Sequence, residues 1–268
     1  MSKVQYSPRY GNWVSDKRIR QTFMMFLVFA LIAAALAAFA APWGAIAIVL
    51  EGILTLLAVL FLIAAVYFVR AKRMFSDEGD GVQRKIQRLV TEHVRWDGCG
   101  CALDIGCGSG ALAIMLAKAY PETQITGTDY WGGSWGYGQK QCEDNARMEG
   151  VAEQMRFVQA SASSLPFEDG EFDLAVSNLV FHEVRDSKDK RDAIHDALRV
   201  VKKGGHFVFQ DLFQLTPYFG TTEELLAFIR GCDIDEVYFE DTSKSAFIPR
   251  ALKLPFMVGT LGMVYGVK

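Results

Sequence analysis

The residues best suited to chemistry form a short run, Asp104-Ile105-Gly106-Cys107-Gly108-Ser109-Gly110, in which an acid stands two positions ahead of the first of three glycines. Glycines at this spacing let a chain turn sharply and lie against a ligand that a Cβ would exclude. The apolar stretch after them, ALAIMLAKAY, has helical character and offers free N–H groups at its start. Gly106, Gly108 and Ala111 also satisfy a looser dinucleotide fingerprint, so a nicotinamide oxidoreductase is one alternative. Asp104 argues against it, because a carboxylate there would oppose a pyrophosphate and would suit a cationic amino-acid ligand. Further along, Asp129 closes TGTD, Ser161 and Ala162 lie in FVQASASSLPF, and residues 177–183 read SNLVFHE. His182 is the candidate base of that last run because its ordinary pKa lies near working pH. A framework or cofactor-contacting His182 is the other reading, and Glu183 and Asp211 stand behind it as candidates.

These residues need elements that bring them to one place. Strands are expected at Cys101–Ile105, Gln124–Thr128, Met155–Gln159, Phe172–Ser177 and His206–Gln210, with helical patterns near residues 110–119, 137–149 and 189–202. An amphipathic helix of about fourteen residues starts at Val82, since Val82, Ile86, Leu89, Val90 and Val94 recur at helical spacing. A helix over residues 222–231 leads to two closing strands within residues 234–239 and 258–267. The alternation predicts an α/β, doubly wound, mostly parallel seven-stranded sheet with an antiparallel last strand.

The run Asp104–Gly110 resembles the first motif of the class I S-adenosylmethionine-dependent methyltransferases, and the resemblance extends over roughly residues 82–268. It implies that Asp104, Gly106, Gly108 and Gly110 surround the methionine part of S-adenosylmethionine, with the acid near its amino group. It also implies that Asp129 accepts from the ribose hydroxyls and that Tyr130 or Trp131 packs on the adenine. Ser161 and Ala162 fall where the family has its adenine-edge loop. This chain departs there, with Ser161 in place of the usual Asp. The exit of the fourth strand, with Asn178 and His182, faces the methyl group in this family. It lacks the Asn/Asp-Pro-Pro-aromatic motif of enzymes that methylate amino groups of nucleobases and glutamine. The insertion YWGGSWGYGQKQC, residues 130–142, is rich enough in Gly and Trp to form an aromatic wall over the site or an anchor at a membrane interface.

Ahead of this domain the composition changes. Between Phe23 and Val69 the only charged residue is Glu51, and the two apolar runs on either side of Pro42-Trp43-Gly44 are each long enough to cross a bilayer core of about 30 Å. The chain therefore divides into a basic N-terminal segment (1–22), a transmembrane helical hairpin (23–69), a linker (70–81) and the methyltransferase-like domain (82–268). Glu51 would face a partner, a headgroup or the site, or simply precede the span. Lys3, Arg9, Lys17, Arg18 and Arg20 precede the first span and Arg70, Lys72 and Arg73 follow the second, so the positive-inside rule places both termini and the domain in the cytoplasm of a two-span cell-membrane protein. Signal-peptide cleavage after Ala38-Phe39-Ala40 is disfavoured by the second span that follows at once.

Residues 74–268 hold twenty Lys/Arg against twenty-nine Asp/Glu, a poor charge balance for a nucleic-acid binder. The five cysteines follow neither a disulfide framework nor a zinc-site spacing, and no metal is expected. His93, His195 and His206 read as surface or framework residues. The expectation is methyl transfer to a small, hydrophobic or membrane-partitioning acceptor such as a lipid, a quinone-like phenol or a thiol. A non-catalytic, membrane-tethered cofactor sensor is the rival of a different class. The apolar tail AFIPRALKLPFMVGTLGMV would lie on the bilayer or cover the sheet edge.

Overall fold

The computed structural model describes residues 7–39, 44–132 and 138–268. The chain divides into two compact units: Asn12–Gln83, and a larger one in which Met1–Gly11 joins Arg84–Lys268.

The smaller unit is a pair of helices, α1 (Asp16–Phe39) and α2 (Gly44–Phe75). Both exceed the apolar runs that define them. Ser15 caps α1, its Oγ accepting from Arg18 N–H at 3.3 Å. Nothing in Arg70-Ala71-Lys72-Arg73 breaks a helix, and cations suit a helix C-terminus, so α2 runs on to Phe75. Gly81, at φ +60°, closes the turn that follows by donating its N–H to Ser76 O at 3.0 Å. Of the expected turn between the helices, Pro42 and Trp43 lie outside the described residues. Both helices are long and apolar enough to cross a membrane. Small residues, Ala33, Ala47, Ala58 and Ala65, are buried, while Leu31 is 68% and Ile48 70% exposed. The alanines let the two helices approach closely while the large apolar side chains lie outside.

The larger unit is built on strands β1 (Cys101–Ile105), β2 (Gln124–Asp129), β3 (Met155–Gln159), β4 (Phe172–Asn178), β5 (Val201–Asp211), β6 (Glu236–Glu240) and β7 (Gly262–Val267). They form one sheet in the order β3-β2-β1-β4-β5-β7-β6. The first five strands are parallel, and β7 inserts antiparallel between β5 and β6. The expected α/β fold with an antiparallel last strand is therefore the observed one. Alternation along the strands supplies two cores: Phe207 and Phe209 of β5 face one side with Phe172, Ala175 and α6 (Arg191–Arg199), and Val208 faces the other with Leu174, Val176 and α4 (Ala111–Ala119). Helix α5 (Gln139–Met148) packs against β3, α3 (Val82–His93) meets β5 and β7, where Ile86 O accepts from Gln210 Nε2 at 2.9 Å and the His93 ring contacts Tyr265, and α7 (Thr216–Phe219) and α8 (Thr222–Arg230) follow β5. The capping box of Thr221 and Glu224, with bonds of 3.2 and 2.8 Å, starts α8 where expected. Because β2 lies on one side of β1 and β4 on the other, the chain reverses direction between β1 and β4, and a crevice at the C-terminal ends of these strands is where an open α/β sheet binds ligands.

Candidate active site

Three glycines make the turn out of β1. Gly106, Gly108 and Gly110 have φ of +69°, +58° and +84°, a region that side-chain-bearing residues rarely adopt. At Gly106 a Cβ would stand 2.1 Å from Val180 Cγ2, so this turn and the exit of β4 interlock without room for a side chain. The loop is pinned by Asp129 at the end of β2, whose Oδ2 accepts from Gly108 N–H at 2.9 Å and whose Oδ1 accepts from Trp131 N–H at 2.8 Å. Trp131, at φ +41°, turns its indole to donate Nε1–H to Gly108 O at 2.8 Å. Tyr130 is instead 67% exposed, so of the two aromatics Trp131 lies against the loop. Residues 133–137 of the aromatic insertion lie outside the described residues.

Asp104 is 1% exposed, and its Oδ2 has no hydrogen-bond partner among the described residues. Burial holds its pKa well above the usual carboxylate range and neighbouring Asp129 adds to this, opposed by a backbone N–H from Ala113. An orphaned, buried carboxylate oxygen beside a glycine turn fits the ammonium group of an amino-acid ligand. These residues therefore fit the methionine and ribose ends of S-adenosylmethionine: Asp104 and the glycine turn for the first, Asp129 for the second.

Ser161 stands where an Asp was the expected residue type, and the structure brings a carboxylate up behind it. Asp186 accepts from the hydroxyls of Ser161 and Ser163, which lower its pKa, and the two hydroxyls are 2.9 Å apart. Ala162 is buried beside them. Nothing in the sequence spacing signals this use of Asp186, because it comes from the far side of β4.

The exit of β4 is the most constrained backbone in the crevice. Asn178 Oδ1 accepts from Gln210 Nε2 at 2.9 Å, and Leu179 follows at φ +60°. The chain then winds through one 3-10 turn, Phe181–Glu183, around a buried carboxylate. Asp211, fully buried at the end of β5, accepts on Oδ2 from the N–H groups of Val180, Phe181 and His182 at 3.0, 2.7 and 3.4 Å. On Oδ1 it accepts from His182 Nδ1–H at 2.5 Å and Leu212 N–H at 2.6 Å. This fixes the ring and its tautomer and leaves Nε2, 3.8 Å from Glu183 Oε1, as the basic nitrogen. Burial draws the His182 pKa down, but the Asp211 carboxylate outweighs it and the net shift is upward. His182 and Asp211 thus form a histidine–carboxylate pair, with Glu183 beside it. His93 instead donates Nδ1–H to Leu89 O at 2.7 Å and has Nε2 2.9 Å from Glu240 Oε2, a framework role. Among the described residues no cluster of His, Cys, Asp and Glu is arranged to hold a metal ion.

A family model described as a methyltransferase domain matches residues 103–209, from β1 to β5. The chain is 34% identical over 113 residues to O-methyltransferase rstn1 of Aspergillus nomiae, a match covering 41% of this chain and 46% of that protein. It is 22% identical over 212 residues to the ubiquinone/menaquinone biosynthesis C-methyltransferase UbiE of Desulfotalea psychrophila, covering 70% of this chain and 81% of that one. The chain thus spans about half the length of the first relative and four fifths of the second. Among solved structures, a putative methyltransferase in complex with the Haloferax volcanii Trm112 activator superposes with a TM-score of 0.51 at 15% identity, over 72% of this chain and 95% of that one. Sheet order, the glycine turn with its two acids and the family match agree: residues 103–209 form a methyltransferase domain, and the sheet around it has the fold of the class I S-adenosylmethionine-dependent methyltransferases.

Proposed function

We propose that the protein is a membrane-tethered enzyme that transfers a methyl group from S-adenosylmethionine to a small, hydrophobic acceptor, a quinone-like phenol, a lipid or a thiol. The observation that carries the reading is the His182–Asp211 pair on the same strand-end crevice as the glycine turn. Bound there, S-adenosylmethionine supplies an activated methyl group, so the protein's share is to align the acceptor, exclude water and remove a proton. His182 Nε2 takes that proton from a phenol, thiol or activated ring carbon, and Asp211 steadies the imidazolium that results. The half-buried Val180, directly ahead of the His182 turn, gives the β4 exit an apolar edge that supports a hydrophobic acceptor, while Phe181 and Phe213 belong to the core. Two similar proteins are named as an O-methyltransferase and as a ubiquinone/menaquinone biosynthesis C-methyltransferase, names that support a phenol or quinone-like acceptor.

The two exposed apolar helices support a bilayer tether, and the flanking positive charges support a cytoplasmic domain. Such an anchor raises the enzyme's concentration around acceptors dissolved in the membrane. Calorimetric titration of the detergent-solubilised protein with S-adenosylmethionine, its demethylated product and NADH tests the cofactor. Asp129→Ala is expected to weaken donor binding by about 1–3 kcal/mol, the usual loss for charge-assisted hydrogen bonds. Binding of NADH and not of the donor would sink the reading. A screen of phenols, thiols and lipids with radiolabelled donor then identifies the acceptor, and binding without turnover on any of them would favour the sensor.

A further inference from the structure

The glycine turn is also gripped from outside the crevice, by a segment the proposed reaction does not use. Residues 7–11 have no regular secondary structure, yet they belong to the larger unit. Asn145, 1% exposed on α5, pairs with Arg9 as a neighbouring strand would: Oδ1 accepts from Arg9 N–H at 2.8 Å and Nδ2 donates to Arg9 O at 2.9 Å. The other hydrogen of the same Nδ2 goes to Ser109 O at 2.9 Å. Ser109, itself 5% exposed, donates its hydroxyl to Tyr10 O at 2.7 Å. The Tyr10 phenol donates to Glu149 Oε1 at 2.6 Å, and the Arg84 guanidinium lies 6.0 Å from the centre of its ring.

Ordering an extended segment costs conformational entropy at every residue, and here these bonds and the ring contacts offset it. What they fix is Ser109, the residue between two positive-φ glycines, whose carbonyl and hydroxyl are both held. Glycine turns have wide conformational freedom, so a turn meant to receive a ligand needs external restraint. Asp129 restrains Gly108 from within the crevice, and the segment restrains Ser109 from without.

We propose that Ser7–Gly11 is a positioning strap which, clasped by Asn145, holds the glycine turn in the shape that receives the methyl donor. The strap rests on the reading of that turn as the S-adenosylmethionine site. Only residues 12–15 separate it from the first apolar helix, so donor affinity depends on chain that lies ahead of the hairpin and not on the methyltransferase domain alone.

The test uses the full-length chain in lipid nanodiscs, with calorimetric titration of S-adenosylmethionine and hydrogen exchange of residues 106–112 without cofactor. Arg9→Pro removes the N–H that Asn145 accepts, at a position whose side chain is exposed; Ser109→Ala removes the other bond. Each is expected to weaken donor binding about tenfold, the effect of one lost buried hydrogen bond, and to speed exchange in 106–112 while the sheet strands keep their protection. Arg9→Ala, which keeps the N–H, is expected to bind as the wild type does. Unchanged affinity and exchange in Arg9→Pro would overturn the strap while leaving the donor site standing, as would accelerated exchange throughout the sheet. A wild-type chain that fails to bind the donor would overturn the donor site and the strap with it.

Discussion

At the scale of single residues, the two buried carboxylates do opposite work. Asp211 is saturated with donors and serves His182, whereas Asp104 keeps an oxygen that no described residue partners. The pH dependence of each has a definite sign. His182 works as a base only when neutral, and its folded pKa lies above the ordinary value of 6.5. Turnover should therefore rise with pH through an ionisation above 6.5, and Asp211→Asn, by removing the charge that holds the pKa up, should shift this limb to lower pH. His182→Gln should lower kcat by about 10²–10⁴-fold, the usual share of a general base. A pH–kcat profile of the three proteins decides; an unmoved limb in Asp211→Asn would sink the pair. Burial raises the Asp104 pKa well above its ordinary value, and an ammonium group beside the carboxylate would draw it down again. Its folded pKa exceeds its unfolded one, so its contribution to stability is full below the unfolded value and is lost as pH rises through the folded one. Donor binding should accordingly release protons and tighten with pH through that same window. Calorimetry in buffers of different ionisation enthalpy measures the release, which should vanish in Asp104→Asn. Both acids are visible in the sequence, Asp104 by its place before the glycines and Asp211 by its place at a strand end. The bonds that give them different roles are not, because they come from backbone groups of other elements.

At the scale of elements, periodicity fixed most of the architecture. The strands containing Cys101–Ile105 and Met155–Gln159 have the expected bounds, while β5 starts five residues before the expected His206, in the Lys- and Gly-containing stretch whose polarity hides a strand. The short helix α7, begun by Thr216-Pro217, has no apolar period to announce it. Nor does the sequence show that residues 7–11 lie on α5 and the glycine turn, since that contact is made by backbone atoms against two ordinary polar residues, Ser109 and Asn145. The glycine turn itself is an element-scale device whose cost of disturbance can be stated. Gly106→Ala would place a Cβ 2.1 Å from Val180 Cγ2 at a φ of +69°, so either the turn or the β4 exit must move. The variant should lose about 1–3 kcal/mol of stability, the usual cost of such backbone strain, and bind the donor at least tenfold more weakly. At Gly138 a Cβ would meet none of the described residues within 4 Å and the backbone is extended, so Gly138→Ala should leave both melting temperature and affinity nearly unchanged. Equal losses in the two variants would mean that the turn has no special requirement for glycine.

At the scale of the whole molecule, the decisive contrast is between a domain with acidic surface chemistry and a helical pair whose large side chains face outward. Leu31, Ile48 and Ile46 are each more than 60% exposed on α1 and α2, and the hydrophobic effect makes such a surface unstable in water unless lipid or another apolar body covers it. The protein should therefore stay with the membrane fraction after washing with high salt and with alkaline carbonate, both of which strip proteins held by charge alone. Orientation has its own probe. Cys99 is exposed in the larger unit, whereas Cys107 and Cys142 are buried, so a bulky, membrane-impermeant maleimide should react at Cys99 first. On the proposed two-span topology the chain returns to the side it left, and all eight Lys/Arg of residues 1–73 flank the two apolar runs, so the domain should lie in the cytoplasm. Labelling is then expected in inside-out vesicles and not in intact cells, and Cys99→Ser should remove most of it, since Cys101 and Cys232 are only half-buried. Labelling in intact cells would place the site on the outer side, away from the cytoplasmic supply of methyl donor. Release of the protein by carbonate would remove the bilayer as the source of its acceptor while leaving the crevice chemistry untouched. Membrane attachment and methyl-transfer chemistry are thus separable, and the topology experiment bears only on which acceptors can reach His182.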